Sequence, residues 1–321
     1  MPDELAIGID VGGTKIAAGV VDEHGRVLTR RRIDTPATDP VAVIDAVGEV
    51  VERLRNEHDV RALGIGAAGF VDASGSTVLF APHLAWRDEP LRDGVAHRTG
   101  LPVVVENDAN AGGWAEWRFG AVQGEPDVVM VTLGTGIGGA ILIDGQPYRG
   151  RFGAAGEFGH MQVVPDGLSC DCGNRGCWEQ YASGRVLTRR GRAAAEAGTP
   201  LGRSLLDAAG GSVQGIQGSH VTDVAQDGDE EATGWFDDVG DWLGVGMANL
   251  AAALDPGVFV VGGGLSDAGE LLLGPAREAF SRTLTGRGHR PEARIVSAQL
   301  GPDAGLIGAA DLARLAAQPR S

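Results

Sequence analysis

The sequence predicts a two-lobed α/β protein in which one order of strands and helices, βββαβαβα, occurs twice. Apolar stretches of strand length alternate in this order with periodic stretches of helix length from Leu5 to about Phe119. The same order begins again at Val128, and a glycine-rich turn lies in the equivalent place of each half. A chain of 321 residues is also long enough to bury two cores.

The first half opens with three strands that short glycine turns join into an antiparallel meander. Helices and strands then alternate, because the apolar period changes between 3.6 and 2 residues. The predicted strands are 5–9, 16–21, 27–33, 61–68 and 103–106, and the predicted helices are 40–57, 90–98 and 108–119.

The second half repeats the pattern but carries an insertion. It begins with strand 128–133, turn 134–139 and strand 140–143, and it ends with strand 258–261, helix 268–285, strand 294–297 and helix 303–315. Between them lie an irregular, cysteine-bearing stretch, 157–180, and a mostly helical insert, 183–254. We therefore expect a small lobe of residues 1–107 plus 302–321 and a large lobe of residues 108–301, which face each other across a cleft.

Two polar pieces of the insert carry no predicted chemistry. The Gly/Gln/Ser-rich piece 210–219 and the acidic piece 227–231 have the composition of solvated surface. We assign neither of them a site.

The charge balance excludes nucleic acid as the main partner. Lys plus Arg total 27 against 43 Asp plus Glu, which gives a formal net charge of -16 that repels a phosphate backbone. The N-terminal sequence has no basic, apolar and cleavage regions of a secretion signal, and no apolar run reaches membrane-spanning length. These features predict a cytoplasmic protein without a membrane partner.

Glycine clusters follow three of the predicted strands. The turn Asp10-Val-Gly-Gly-Thr-Lys15 joins two apolar strands, and its glycines let backbone N–H groups approach a phosphate closely. An ordinary hairpin turn that needs positive φ is the alternative. The second turn, 134–139, and a third cluster, Gly262-Gly263-Gly264, favour a nucleotide site, because turns on two lobes can close on a triphosphate.

Lys15 is the only lysine among the 27 basic residues. A compact ammonium on a flexible stem suits phosphate inside a glycine turn better than a guanidinium fork. A single lysine left by compositional bias is the alternative.

All three cysteines lie within eight residues, at Cys170, Cys172 and Cys177. An odd number of cysteines without a secretion signal disfavours a disulfide framework. Three thiolates need one more ligand for a closed tetrahedral zinc site, and His160 is the nearby candidate. One imidazole nitrogen would then bind zinc and leave the other to face a ligand. Buried, inert thiols are the alternative.

Asp108 stands where an apolar strand ends and a helix begins. A carboxylate there can project into a cleft and accept a proton from a bound hydroxyl, or it can cap the helix. The Asn107 amide can donate and accept hydrogen bonds, and Glu157 and Glu179 supply carboxylate acceptors, which are groups that can bind hydroxyls.

Motifs spread over essentially the whole chain resemble those of the actin-like ATPase superfamily and, within it, the ROK family. The residues that carry the resemblance are Asp10-x-Gly-Gly-Thr-Lys15, Gly66-Ala-Ala-Gly69, Glu106-Asn-Asp-Ala-Asn110, Leu133-Gly-Thr-Gly-Ile-Gly-Gly139, Glu157-Phe-Gly-His160, Cys170-x-Cys-Gly-x-x-Gly-Cys177, Trp178-Glu-Gln-Tyr-Ala-Ser-Gly-Arg185 and Val261-Gly-Gly-Gly264. The chain is most similar to the bacterial ROK glucokinases.

The resemblance implies a two-lobed actin-like ATPase (ribonuclease H-like) fold with a zinc-binding insert. It implies ATP-dependent phosphorylation of glucose at the 6-hydroxyl, with Asp108 as general base and Mg²⁺ held by Asp10 through water. The implied sugar site is Gly69, Asn107, Asp108, Glu157, His160 and Glu179. The implied ATP site is Asp10, Gly12, Gly13, Thr14, Lys15, Gly134, Thr135, Gly136, Gly138, Gly262, Gly263 and Gly264. The family also suggests a homodimer or homotetramer.

Other readings of the resemblance stay open. N-acetylmannosamine, N-acetylglucosamine or fructose kinases and polyphosphate-using glucokinases share these motifs, and the pocket around Gly69-Phe70 and Pro82-His83 should decide whether an N-acetyl group fits. A sugar-responsive regulator is disfavoured by the acidic charge and by the intact motifs.

Overall fold

The structure, a computed structural model, describes residues 4–318. Its first half contains, in chain order, β1 (Ala6–Val11), β2 (Lys15–Val21), β3 (Val27–Asp34), α1 (Pro40–Glu57), β4 (Ala62–Ala67), β5 (Phe70–Val71), β6 (Val78–Phe80), β7 (Arg87–Glu89), α2 (Leu91–Thr99), β8 (Val103–Asn107) and α3 (Asp108–Arg118). This is the predicted order βββαβαβα with three additional short strands.

The second half contains β9 (Val128–Leu133), β10 (Ile137–Ile143), β11 (Gln146–Pro147), α4 (Glu179–Ala182), α5 (Gly184–Ala197), α6 (Pro200–Ala208), α7 (Gly218–Gln226), α8 (Glu230–Leu254), β12 (Val258–Gly262), α9 (Glu270–Thr283), β13 (Arg294–Ser297) and α10 (Ala304–Ala317). Helices α5 to α8 form the helical insert that was predicted at 183–254, and the short α4 directly precedes it.

The first sheet has the order β3-β2-β1-β4-β8. Strands β1 to β3 are antiparallel, as the meander predicted, whereas β1, β4 and β8 are parallel. In this register Asp10 lies opposite Gly66, and Ala67 lies opposite Asn107. Parallel strands end at one edge of a sheet, so Asp10 and Asn107 lie at the same edge.

Two helices cover one face of this sheet. Helix α1 begins cleanly because the Asp39 side chain accepts hydrogen bonds from two backbone N–H groups of the first turn and Pro40 suits that turn. Its stripe of Val43, Val47 and Leu54 is buried in the same apolar cluster as the strands and α2.

Helix α10 covers the other face at unusually close range. A Cβ added to Gly8 of β1 would lie 1.9 Å from the Leu306 carbonyl oxygen, and one added to Gly64 of β4 would lie 1.8 Å from that of Ala309. Only glycine therefore allows the helix backbone to rest on these strands.

The second sheet has the order β11-β10-β9-β12-β13, with β9, β12 and β13 parallel. Helices α8 and α9 pack against each other, also at close range. A Cβ added to Gly244 of α8 would lie 2.3 Å from the Ala276 carbonyl oxygen of α9.

The chain divides into two compact units. The first comprises Met1–Pro126, Ala140–Gly156 and Gln299–Ser321, and the second comprises Asp127–Gly139 and Glu157–Ala298. Helix α3 belongs to the first unit, where it packs against α10. The division into lobes 1–107 plus 302–321 and 108–301 stays a prediction.

The element bounds agree with the sequence patterns at most positions and differ at three. The short sheet β5-β6-β7 was not predicted, since strands of two or three residues carry no readable period. The turn predicted at 134–139 ends at Gly136, and β10 starts at Ile137. The helix predicted at 268–285 begins at Glu270, after a 3-10 turn, Gly264–Ala268.

No helix within residues 4–318 is long and apolar enough to span a membrane.

Candidate active site

Two carboxylates meet at the carboxyl edge of the first sheet. Asp10 is near the end of β1, and Asp108 is the first residue of α3, directly after β8. Gly66 and Gly305 border them, since a Cβ added to Gly66 would lie 3.6 Å from the Asp108 Cα and one added to Gly305 would lie 3.7 Å from the Asp10 carboxyl carbon. The two glycines keep the space around the carboxylates free of other side chains.

The environment of both carboxylates favours the protonated form. Burial, followed by the negative charge of Asp108, raises the pKa of Asp10 to about 7. Burial also raises the pKa of Asp108, against the opposing effect of the Ala109 N–H, which donates to the Asp108 carboxylate. A carboxylate with a raised pKa is a stronger base when ionised, which is what proton abstraction from a hydroxyl requires.

The helix cap beside Asp108 is Asn107. The Asn107 Oδ1 accepts a hydrogen bond of 3.0 Å from the Asn110 N–H, and Asn107 has extended φ and ψ whereas Asp108 is already helical. The N-cap alternative for Asp108 is therefore wrong. The Asn107 Nδ2 donates to the Gly69 carbonyl oxygen at 3.1 Å, which joins two residues of the predicted sugar site.

The first glycine turn is held by its own backbone and by the end of β3. The Gly12 N–H donates to the Lys15 carbonyl oxygen, and the Thr35 hydroxyl donates to that of Gly12. Neither Gly12 nor Gly13 has a positive φ, so the hairpin alternative does not explain them. Gly13 instead makes room, because an added Cβ would lie 2.7 Å from the His83 Cβ.

Lys15 is exposed and paired. Its Nζ lies 2.6 Å from the Asp34 Oδ1, and both side chains are on the surface. A phosphate ligand at Lys15 would therefore compete with the Asp34 carboxylate. The phosphate-binding assignment of Lys15 and of its neighbour Thr14 stays a prediction.

The other two glycine turns lie side by side in the second unit. Gly263 has φ of 83°, and an added Cβ would lie 2.5 Å from the Leu133 carbonyl oxygen at the end of β9. Its position thus requires glycine twice over. Gly262 ends β12, Gly264 begins the following 3-10 turn, and Gly138 lies within β10.

A cavity of about 650 Å³ opens beside these two turns. Gly134, Thr135, Gly264 and Leu265 form part of its wall, and helices α5 and α7 complete it with Gly184, Arg185, Thr188, Arg192, Gln217, Gly218, Ser219 and Thr222. The volume is that of a small-molecule pocket, and hydroxyl, amide and guanidinium groups are concentrated on its helical side.

The four predicted metal ligands form one cluster. One ligand atom from each of His160, Cys170, Cys172 and Cys177 lies within 4.8 Å of the others. The Cys170 Sγ is 3.8 Å from the His160 Nδ1, and the Cys172 Sγ is 3.6 Å from the Cys177 Sγ. Tetrahedral zinc with Zn–S bonds of about 2.3 Å requires sulfur atoms about 3.8 Å apart, so the donor set fits zinc in chemistry and in spacing.

Two glycines and a tryptophan hold this cluster. Gly173 and Gly176 have φ of 92° and 76°, and a Cβ on Gly176 would lie 1.7 Å from the Val164 carbonyl oxygen. Trp178 is buried against Gly246 of α8 and donates through its indole N–H to the Trp242 carbonyl oxygen at 2.7 Å. The cysteine loop is thus tightly folded and anchored on the long helix.

Glu179 connects the metal cluster with the second glycine turn. This buried carboxylate lies 3.1 Å from the Cys170 Sγ and 3.9 Å from the His160 Nδ1. A Cβ on Gly136 would lie 2.5 Å from the Glu179 Oε2. Glu157 directly precedes the 3-10 turn Phe158–His160, and its carbonyl oxygen accepts the His160 N–H.

The predicted sugar residues thus form two groups: Gly69, Asn107 and Asp108 in the first unit, and Glu157, His160 and Glu179 in the second. Sequence reasoning missed Gly305 and the helical side of the cavity. Gln217 and Ser219 belong to the piece 210–219, to which no chemistry was assigned. The only local signal was a small polar residue at the start of a helix, a pattern that many surface helices share.

A model of the ROK family matches residues 6–316, and the chain therefore belongs to the ROK family. The glucokinase of Streptomyces coelicolor is 51% identical over 310 residues, which are 97% of this chain and 98% of that protein. The crystal structure of a ROK family glucokinase from Streptomyces griseus in complex with glucose and AMPPNP is 55% identical, with a TM-score of 0.88 over 97% of this chain and 99% of that chain. The ROK hexokinase of Thermus thermophilus is 36% identical, with a TM-score of 0.79 over 97% of this chain and 98% of that chain. The predicted two-lobed actin-like ATPase fold is thereby confirmed.

Proposed function

We propose that the protein is a glucokinase that transfers the γ-phosphoryl group of ATP to the 6-hydroxyl of glucose. The observation that carries the proposal is Asp108, a half-buried carboxylate at the start of α3 with a raised pKa, beside the first glycine turn. The choice of glucose and ATP is supported by the Streptomyces relatives, one of which was solved with glucose and AMPPNP.

In this reaction Asp108 acts as the general base. Its carboxylate takes the proton of the 6-hydroxyl while the hydroxyl oxygen bonds to the γ-phosphorus and the bond to the β-phosphate oxygen of ATP breaks. Gly69, Asn107, Glu157, His160 and Glu179 are proposed to bind the other sugar hydroxyls, since amide, imidazole and carboxylate groups can hold a polyol in one orientation.

The donor nucleotide is proposed to bind along the three glycine turns. Backbone N–H groups of the turns at 12–14 and 134–138 would bind the phosphates, with Lys15 as a point charge, and Gly262, Gly263 and Gly264 would contact the adenosine. The cavity of about 650 Å³ beside Gly134 and Gly264 supports this assignment, because its volume suits a nucleoside and its wall combines apolar surface with hydroxyl, amide and guanidinium groups.

Asp10 is proposed to hold Mg²⁺ through water. Burial and the neighbouring charge raise the pKa of this carboxylate to about 7. A divalent cation would therefore stabilise the ionised form of Asp10. When bound, Mg²⁺ would neutralise negative charge on the ATP phosphates.

We further propose that His160, Cys170, Cys172 and Cys177 hold a structural zinc ion. The Nδ1 atom of His160 faces the thiols, so its Nε2 remains for a sugar hydroxyl. Zinc would thus fix the orientation of a sugar-binding side chain without entering the reaction.

We also propose a cytoplasmic homodimer or homotetramer, because the resemblance to the ROK family suggests one.

A panel of sugars and phosphoryl donors in an assay of ADP formation tests the proposal. We expect the highest kcat/KM with glucose and ATP·Mg²⁺. A tenfold higher kcat/KM for N-acetylglucosamine, N-acetylmannosamine or fructose, about 1.4 kcal/mol of transition-state preference, would assign a different hexose. Faster turnover with polyphosphate than with ATP would change the donor, and no turnover with any pair would favour a sugar-sensing regulator.

A further inference from the structure

Glu106 is a buried carboxylate to which the mechanism above assigns no part. Its side chain is 4% exposed at the end of β8, two residues before Asp108. The Oε1 atom accepts from the Asn107 N–H at 3.0 Å and from the Asn110 Nδ2 at 3.1 Å. The Oε2 atom accepts from the Arg149 guanidinium, whose Nε and Nη2 both lie at 2.5 Å. Glu106 therefore binds both ends of the turn that carries Asp108.

Arg149 belongs to a loop that packs beside the same turn. The Arg149 carbonyl oxygen accepts the Ala155 N–H at 3.1 Å, which closes the loop on itself. Gly153 at its tip has φ of 88°, and an added Cβ would lie 2.0 Å from the Val71 carbonyl oxygen of β5. The loop thus rests on the strand that follows Gly69, and Arg149 ties it to Glu106.

The Glu106–Arg149 pair is one of three contacts that join the Asp108 turn, the strand after Gly69 and the loop that carries Arg149. Asn107 connects the Asp108 turn to Gly69, Gly153 connects the loop to Val71, and the Glu106–Arg149 contact connects the loop to the Asp108 turn. Loss of Arg149 from this pair is costly, because the Glu106 carboxylate is buried and would be left as a desolvated charge without a cation. The first turn of α3 would then have to move for that charge to reach water.

We propose that Glu106 and Arg149 are positioning residues for the phosphoryl transfer, which hold Asp108 and the Gly69 turn in the arrangement that the acceptor sugar requires. The inference rests on the proposed function. Displacement of a general base by about 1 Å can cost about a hundredfold in rate, so a shift of this turn affects turnover even without any contact to substrate.

The test compares Arg149→Met with the double variant Glu106→Gln/Arg149→Met. Methionine removes both donors and leaves the Glu106 carboxylate without its cation. We expect kcat with glucose to fall at least tenfold while KM for ATP stays within twofold. In the double variant glutamine keeps the Oε1 acceptor for Asn107 and Asn110 without a buried charge, and we expect kcat at least three times that of Arg149→Met.

Arg26→Met is the matched control. The Arg26 Nε lies 2.6 Å from the Asp22 Oδ2, and the Asp22 side chain is 2% exposed, so this pair has the same chemistry at a turn remote from Asp108. We expect Arg26→Met to change thermal stability and leave kcat within twofold. Arg149→Lys, which keeps the charge, should recover part of the lost kcat and also serves if Arg149→Met does not fold.

Two results would overturn the inference. One is a kcat and a glucose KM within twofold of wild type in a folded Arg149→Met protein, which would leave the pair a purely structural role. The other is a double variant no faster than Arg149→Met. The same assay measures glucose turnover by the wild-type protein. An inactive wild type would contradict the proposed function, whereas an active wild type with either of the two results above would contradict only the positioning role of Glu106 and Arg149.

Discussion

Replacement of Asp10 by asparagine should stabilise the protein at alkaline pH while it removes kinase activity. Burial and the charge of Asp108 raise the pKa of Asp10 from 3.8 to about 7 in the folded state. A group that holds its proton more tightly in the folded state penalises folding once the pH forces it to ionise. Asparagine has nearly the same size and no charge, so it removes this penalty.

The magnitude follows from the shift in pKa. A rise from 3.8 to about 7 corresponds to about 4 kcal/mol at 1.36 kcal/mol for each pH unit. Between these two pKa values the folded protein binds more protons than the unfolded chain, so the free energy of unfolding decreases as pH rises and the full penalty is present above about pH 7. Asp108 contributes to the shift, so the measured gain belongs to the pair and should be about 2 to 4 kcal/mol at pH 8.

The assay is denaturant unfolding of both proteins at about pH 5 and pH 8 in Mg²⁺-free buffer without chelator. The excess stability of Asp10→Asn should be larger at pH 8 than at pH 5, because at pH 5 the folded wild type still holds the Asp10 proton and only part of the penalty has developed. Asp59→Asn is the control, because the Asp59 side chain is 88% exposed, and its stability should match wild type at both pH values. Two results would refute the reasoning. One is an Asp10→Asn protein that is no more stable than wild type at pH 8. The other is an excess stability of Asp10→Asn over wild type that is the same at both pH values.

Three further predictions concern the base, the metal cluster and the helix contact. Asp108→Asn should lower kcat by about 10² to 10⁴ while the protein stays folded and binds glucose, and retention of a tenth of wild-type kcat would count against a general base. Elemental analysis should find about one zinc per chain, whereas Cys172→Ser should lose the zinc and have a lower thermal midpoint; a wild-type protein purified without zinc would contradict the site. Gly64→Ala should cost more than about 3 kcal/mol, because its Cβ would lie 1.8 Å from the Ala309 carbonyl oxygen, whereas Gly234→Ala, in open space on α8, should gain about 0.5 to 1 kcal/mol in urea unfolding. Equal effects of the two alanines would show that close packing of α10 does not matter.

The order of strands and helices could be predicted because strong local signals mark it. Helix α1 has the predicted bounds 40–57 and β9 has the predicted bounds 128–133, since aspartate, proline or glycine marks the ends of these elements. The three-stranded sheet β5-β6-β7 has no such signal. Its strands are so short that pairing with each other, not a sequence period, defines them.

The candidate site could be predicted only where one short motif supplies the whole arrangement. The zinc cluster is of this kind, because three of its ligands lie within eight residues and two glycines fold the loop between them. The cap of α3 is the opposite case. Asn107 and Asp108 cap helices equally well by type, and only the backbone angles identify Asn107.

Contacts between distant segments were beyond the reach of sequence reasoning. Arg149 is 43 residues from Glu106, and nothing local to either residue indicates the other. Gly305 lies at the start of the last helix, where a glycine by itself indicates only a weak helical position. Such partners follow from the register of the sheet and the path of the loops.

The loss of stability that ionised Asp10 causes and the proposed role of Asp108 as a base have the same physical origin, at the carboxyl edge of the first sheet. Parallel pairing with β4 brings the ends of β1 and β8 to the same edge, and this places Asp10 and the residues before Asp108 at one partly buried edge. Burial there raises both pKa values, which destabilises the free protein at neutral pH and makes Asp108 a better proton acceptor. Gly66 and Gly305 border the two aspartates and add no side chain of their own beside them. A cation bound by Asp10 would then recover part of the lost stability, so ATP·Mg²⁺ should raise the thermal midpoint of wild type more than that of Asp10→Asn.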